Sequence, residues 1–270
     1  MRGIITLIAL IFPAYLFSQE LTIIGNAHLA SKSFNADTLF TILEKVKPDI
    51  ILLELDSGLF SKTFDEKFEL KYKSKENEPI ATARYIKLHP LTIASHFDYE
   101  NRDTYRLQHG IKQSQNLTGK LLDSLYQKKL LRKRQTKIVK KYYSLTEELN
   151  AYVDKPAFNF NSYELDKLAK RKQFYQHRKI TKVINQRSEF SKLFVPTTLG
   201  TKVSLRNAYC SLSHFWDLRN KTMAKNIVAI VKQNPGKRIV VLTGFSHRYF
   251  LKREISRQYK GIKLHEFYEY

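Results

Sequence analysis

The chain has 270 residues, 43% of them hydrophobic, a globular composition that excludes a disordered or collagen-like protein. Lys and Arg number 47 against 25 Asp and Glu, a formal net charge of +22, which favours anionic partners such as acidic polysaccharide, phospholipid or nucleic acid. The one cysteine, Cys210, excludes an intramolecular disulfide and, lacking any partner motif, reads as a buried small hydrophobe.

Residues 1–18 carry Arg2, an apolar run from Ile4 to Phe17 and then small and polar residues. The run is shorter than the ~20 residues of a bilayer span and is interrupted by Pro13, so the pattern predicts a signal peptide cut near Ser18–Gln19. No later run is long enough to span a membrane, and the expectation is an exported, soluble protein, periplasmic or secreted.

After it, ELTIIG is a short apolar run ending at Gly25. NADTLFTILEKV places Leu39, Ile42, Leu43 and Val46 on one helical face, with Asn35 as N-cap and Pro48 as the stop. DIILLELD is a continuous apolar run, the mark of a strand covered on both faces. Strand, helix and strand in this order form a βαβ unit with parallel strands. LTIASHFD, residues 91–98, predicts a third strand.

From about 101 to 191 the strand pattern vanishes, and Lys, Arg, Tyr and Leu dominate. LLDSLYQKKLLRKRQTKIVKKYYSLTEELNAYV reads as one long amphipathic helical stretch. NSYELDKLAKRKQFYQHRKITKVINQ reads as another, with Asn161 and Glu164 spaced as a capping box. Most of the excess positive charge lies here, on what the pattern predicts to be an outward face. HFWDLRNKTMAKNIVAIVKQNPGK is a strong helix with Met223, Ile227, Ile230 and Val231 on one face. RIVVLTG is a buried strand, SHRYFLKREISRQY a helix and IKLHEFYEY a closing strand. Together these predict, for residues 19–270, a single α/β domain. It is a Rossmann-like, mainly parallel sheet with a large basic helical insertion.

Two apolar runs end in the same short pattern, Gly25-Asn26-Ala27-His28 and Gly244-Phe245-Ser246-His247. Ligands of open α/β sheets bind beyond the carboxyl ends of the strands, and glycine there lets backbone approach closely. Parallel strands would bring His28 and His247 to one edge. Glu54 and Asp56 end the second strand, and an i, i+2 pair on a strand faces one side. Asp98 and Arg102 arrive from the third, and Arg219 and Asn220 from the helix before the second motif. Histidines and carboxylates together can bind a divalent metal or act as base and acid. No dinucleotide fingerprint, phosphate loop, Gly-x-Ser-x-Gly or His-Glu-x-x-His motif is present.

TIIGNAHLAS…VKPDIILLELD and LRNKTMAKNI…IVVLTGFSH resemble the Tiki/TraB/GumN superfamily, which also includes erythromycin-esterase-like and ChaN-like haem-uptake branches. The resemblance covers residues 21–56 and 214–250, and Leu218 stands where relatives have an acid before the Arg-Asn pair. It implies a functional set of His28, Glu54, Arg219, Asn220 and His247. The Tiki branch is described as metal-dependent proteases, the esterase-like branch as metal-free hydrolases.

The expected activity is metal-assisted hydrolysis of an amide or ester in a peptide or small molecule. His28, His247, Glu54 and Asp56 are the candidate ligands for manganese, cobalt or zinc. Glu54 would be the general base and Arg219 the oxyanion partner. The alternatives are a non-catalytic crevice for haem or another anionic ligand, and an envelope-surface adaptor working through the basic helices. The insertion could also dock an anionic surface or polysaccharide, whereas export argues against nucleic acid.

Overall fold

Each strand of the central sheet forms on one of the short runs expected to be a strand. In the computed structural model, which describes residues 19–152 and 154–270, the first run is β1, Gln19–Asn26. The expected signal peptide lies outside the described residues. Helix α1, Ala36–Val46, begins where the Asn35 side chain accepts the Thr38 backbone N–H. It buries Leu39, Ile42, Leu43 and Val46 and ends at Lys47 in a left-handed conformation, just before Pro48. Strand β2 is Ile50–Leu53, α2 is Ser57–Thr63 and α3 is Asn77–Leu88. Strand β3 is Ile93–His96, shorter than the 91–98 expected because Leu91 is fully exposed beyond the sheet edge.

The insertion follows as α4 (Arg102–Gln108), α5 (Ile111–Gln127), α6 (Lys133–Asn150), α7 (Ala157–Phe160) and α8 (Tyr163–Phe174). A π-helical turn, Tyr175–Ile180, leads into α9 (Thr181–Asn185) and α10 (Glu189–Lys192). A small antiparallel hairpin, β4 (Phe194–Pro196) and β5 (Lys202–Ser204), closes it, so the insertion runs past the expected end at 191. The long helix α11, Leu205–Gln233, then returns the chain to the sheet. Strand β6 is Ile239–Gly244, α12 is Phe245–Gln258 and β7 is Ile262–His265. The closing run leaves the sheet after His265 and ends in a 3-10 turn, Phe267–Glu269.

The sheet order is β3-β2-β6-β1-β7, with all neighbours parallel. This is a Rossmann-like α/β fold. Strands β1 and β2 are parallel as expected but not adjacent, because β6 lies between them. Side chains alternate strictly. Ile24, Ile51, Leu53, Val240 and Leu242 face α1 and α3, whereas Leu21, Ile23, Leu52, Ile239 and Val241 face Met223, Ile227 and Val231 of α11. Each such buried aliphatic contributes roughly 1.5–3 kcal/mol.

The insertion has its own core of Leu122, Leu125, Val139, Ile180, Val183, Ile184 and Phe190. On α6 the basic residues take the expected outward face, whereas Lys172 of α8 is turned inward. On and just before α6, Arg132, Lys133, Arg134, Lys137 and Lys140 are exposed, while Gln135 and Val139 are buried. The expected helical stretch is two helices, α5 and α6, separated at Lys128–Arg132, where Lys129 takes a left-handed conformation. The second helix is capped by Ser162, not Asn161, because Asn161 is used elsewhere. Cys210 is half-buried, not buried, and its thiol meets Asn185 Oδ1. Among the described residues no helix is long and apolar enough to cross a membrane.

Candidate functional site

Strands β1 and β6 are neighbours, with Gly25 opposite Thr243 and Asn26 opposite Gly244. From β1 the chain goes to β2 on one side, and from β6 it goes to β7 on the other. The two Gly-x-x-His turns therefore leave adjacent strands at a switch of direction, the position where such sheets form a crevice. Asn26 joins the motifs. Its Nδ2 donates to the Thr243 carbonyl at 3.0 Å, and its Oδ1 accepts the His28 backbone N–H at 2.6 Å. His28 is held at φ 51°, an uncommon left-handed conformation for a side-chain-bearing residue. Its carbonyl also accepts the Asn77 N–H at 2.7 Å.

Close approach explains both glycines. A Cβ on Gly25 would lie 3.0 Å from Phe245 Cα, and one on Gly244 would lie 2.8 Å from His28 Nε2. From the insertion, the buried Asn161 amide grips Gly25 at both its N–H (2.7 Å) and its carbonyl (3.1 Å).

Glu54 directly follows β2 and is buried. Its Oε1 accepts Arg219 Nη2 at 2.6 Å, and its Oε2 accepts the Thr243 hydroxyl at 2.6 Å and the Gly244 N–H at 2.8 Å. Arg219, on α11, also makes a two-pronged pair with Asp98 at 2.7 and 2.8 Å. Asp98 is fully buried after β3 and accepts Arg102 as well, at 2.7 Å. Arg219 thus lies at the centre of the site with its side chain 14% exposed.

Two histidines flank this pair in opposite charge states. His247 Nδ1 lies 2.8 Å from Asn220 Oδ1, and Asn220 Nδ2 donates to the Trp216 carbonyl at 2.7 Å. That bond fixes the amide, so Nδ1 of His247 carries the hydrogen. Its Nε2 lone pair faces Arg219 Nη1 at 3.3 Å and Glu54 Oε1 at 3.5 Å. Burial holds the His247 pKa down to about 4 against the pull of Glu54, so the ring is neutral. It stacks on Trp216 at 4.5 Å, and Trp216 stacks on His177 at 5.0 Å.

His28 Nδ1 meets Glu78 Oε1 at 2.5 Å. Burial opposes charge on His28, but its bond and ion pair with Glu78, helped by Glu54 and Glu76, outweigh it and hold the pKa up at about 9. For Glu54, burial pushes the carboxyl up. The His247 ring when charged, Arg219, His28 and the Thr243 hydroxyl together pull it further down, well below the carboxylate range.

The expected site residues His28, Glu54, Arg219, Asn220 and His247 therefore come together. Asp56 does not join them. The strand ends at Leu53, and the Asp56 carboxylate caps α2 by accepting the Leu59 N–H at 2.8 Å. Glu54 is not free to act as a base, since both oxygens are engaged and its pKa is depressed.

A divalent metal does not fit these residues. The Arg219 guanidinium fills the space between Glu54 and Asp98, and the carboxylate oxygens that would ligate are bonded to it. Among the described residues no group of three or more His, Cys, Asp or Glu side chains is disposed to hold a metal ion.

Two residues of the site carry no signal in the sequence. Glu78 lies in the first turn of α3, where an acid is ordinary helix-dipole chemistry. Trp216 is an aromatic at helical spacing, which reads as core. The i, i+4 spacing of Trp216 and Asn220 is the one clue that they share a face.

His28, Glu54, Glu76, Glu78 and Arg102 line a small crevice of about 80 Å³. The His28 imidazolium lines it directly, whereas the neutral His247 ring is buried and adjoins it through Glu54, 3.5 Å away. In comparisons with protein-family profiles, curated proteins and solved structures, nothing matches the chain.

Proposed function

We propose that this crevice is the active site of an exported hydrolase of the wider Tiki/TraB/GumN superfamily, acting without a metal, as its esterase-like branch is described to do, on an ester or amide of a peptide or small molecule. The reading is carried by one observation. His247, locked neutral by Asn220, lies 3.3 Å from Arg219 and 3.5 Å from Glu54, and His28, paired with Glu78, comes up to Gly244, whose N–H Glu54 holds. Neighbouring titratable groups whose environments push their pKa values apart divide the acid and base roles between them.

His247 Nε2 takes a proton from the attacking water as the new carbon–oxygen bond forms. Arg219 and the His28 imidazolium stabilise charge on the carbonyl oxygen. His28 then gives its proton to the departing alcohol or amine as the bond to the acyl carbon breaks. Solvent returns the proton from His247 to His28, so one water is consumed. Glu54 and Asp98 hold Arg219 in place, and Glu78 orients His28.

The test is a panel of p-nitrophenyl esters and anilides with the wild type, His247→Gln and His28→Gln. Each variant should lose about 10²–10⁴ of the rate. A chain that binds panel compounds but turns none over would be a binding protein using the same crevice.

A further inference from the structure

We propose that this hydrolase takes substrates bearing a carboxylate close to the scissile acyl group, held in a basic pocket that the helical insertion closes over Arg219; the inference rests on the hydrolase reading above. The pocket, about 270 Å³, lies beside the crevice, and Arg102 lines both. Arg102, Arg106, Lys172 and Arg219 line it, and no carboxylate does. Phe215 and Trp216 give it an aromatic wall.

The count of free charge points to one carboxylate rather than a more highly charged group. Asp98 and Glu54 neutralise Arg219 and Arg102, and Asp103 pairs with Arg106 at 3.1 Å. Lys172 has no carboxylate within pairing distance among the described residues; its ammonium meets the neutral Gln176 side chain at 2.5 Å and lies 5.8 Å from the centre of the Tyr142 ring. Burial alone pulls its pKa down to about 8, as expected for a desolvated cation without a counter-ion. Buried polar groups normally have partners. Here Arg102 Nε, Gln173 Oε1 and His177 Nδ1 have none, although Gln173 and His177 are at least 95% buried. The residues that bear these atoms, Arg102, Gln173 and His177, all line the pocket.

The π-helical turn Tyr175–Ile180 begins directly after α8, and His177 lies within it. Single π turns within helices are frequent at functional sites. Gln115, Gln176 and Leu212 also line a second cavity of about 280 Å³ with Tyr142, Tyr143 and Tyr209. That cavity continues the pocket with room for an apolar substrate body.

The experiment compares p-nitrophenyl hemiglutarate with the neutral p-nitrophenyl butyrate on the full chain. The wild type should favour the hemiglutarate in kcat/KM. Lys172→Gln should cut that preference about tenfold or more, the worth of one charge-assisted hydrogen bond, and Lys172→Arg should largely keep it. Glutarate binding by calorimetry should be present in the wild type and in His247→Gln and absent in Lys172→Gln. Equal turnover of the two esters by the wild type would overturn the inference, as would an unchanged preference in Lys172→Gln. Should no ester be hydrolysed, the hydrolase reading fails, yet glutarate binding lost in Lys172→Gln still supports the pocket and no binding to the wild type overturns it. If Lys172→Gln does not fold, Lys172→Met serves the same comparison, since it too removes the ammonium but keeps the length.

Discussion

His247 Nδ1 donates to Asn220 Oδ1 at 2.8 Å, and this bond decides which face of the imidazole is basic. A carboxylate in place of the amide keeps the size but adds a charge beside the ring. Asn220→Asp should therefore raise the His247 pKa, and the acid limb of the rate profile should move up from about 4. Asn220→Leu removes the lock on the tautomer, and kcat should fall about 100-fold or more. An unshifted limb in Asn220→Asp would mean that His247 is not the base.

The two histidines predict a bell. His247 works when neutral, so kcat/KM should rise as pH climbs through about 4. His28 works when charged, so the rate should fall as pH climbs through about 9. Glu78→Gln removes the carboxylate that holds His28 up, and should bring the alkaline limb down towards the ordinary histidine range near 6.5. Stability should follow a related course at low pH. His177 and His247 are buried neutral, with pKa values lowered to about 3 and about 4 by burial. The unfolded chain binds their protons near 6.5 while the fold does not, so their contribution is full above 6.5 and is lost as pH falls through about 4 and 3, whereas the contribution of the raised His28 is full below 6.5 and is lost as pH climbs through about 9. Urea unfolding at several pH values measures this.

Asp98 anchors Arg219 and Arg102 together from a fully buried position. Removing one partner of a buried ion pair leaves a charge without compensation. Asp98→Ala should destabilise the fold by about 3–5 kcal/mol in urea titration, although Asp98 touches neither histidine. A cost near zero would mean that water reaches Arg219 freely and that the centre of the site is wet.

The ends of β1 and β6 were legible because apolar runs of strand length stop at a glycine, and a parallel sheet brings such ends to one edge. The convergence of His28, Glu54, Arg219, Asn220 and His247 follows from that topology. Asp56 was misplaced because the i, i+2 rule holds only while the strand continues, and β2 stops at Leu53. Asn161 and Ser162 are both good caps. The choice between them was made by the Asn161 bonds to Gly25, a contact across 136 residues that no local pattern carries. The inward side of the insertion was equally hidden. The spacing of α8 shows an amphipathic helix but not that Lys172, Gln173 and His177 close over Arg219.

The two motif glycines should respond differently to the same substitution. At Gly25 an added methyl meets the Phe245 backbone at 3.0 Å, and backbone at the start of α12 cannot step aside without moving the helix. Gly25→Ala should destabilise by about 1–3 kcal/mol, the range for overpacking a tight site. At Gly244 the methyl would meet the tip of a side chain, His28 Nε2, at 2.8 Å. That side chain is 42% exposed and has room to turn. Gly244→Ala should cost little stability, yet it displaces the nitrogen that donates the proton, and misplacements of about 1 Å cost on the order of 100-fold in rate. Thermal unfolding and ester turnover measured on both variants separate the two outcomes. An active Gly244→Ala enzyme would show that His28 Nε2 does not work at the position it occupies beside Gly244.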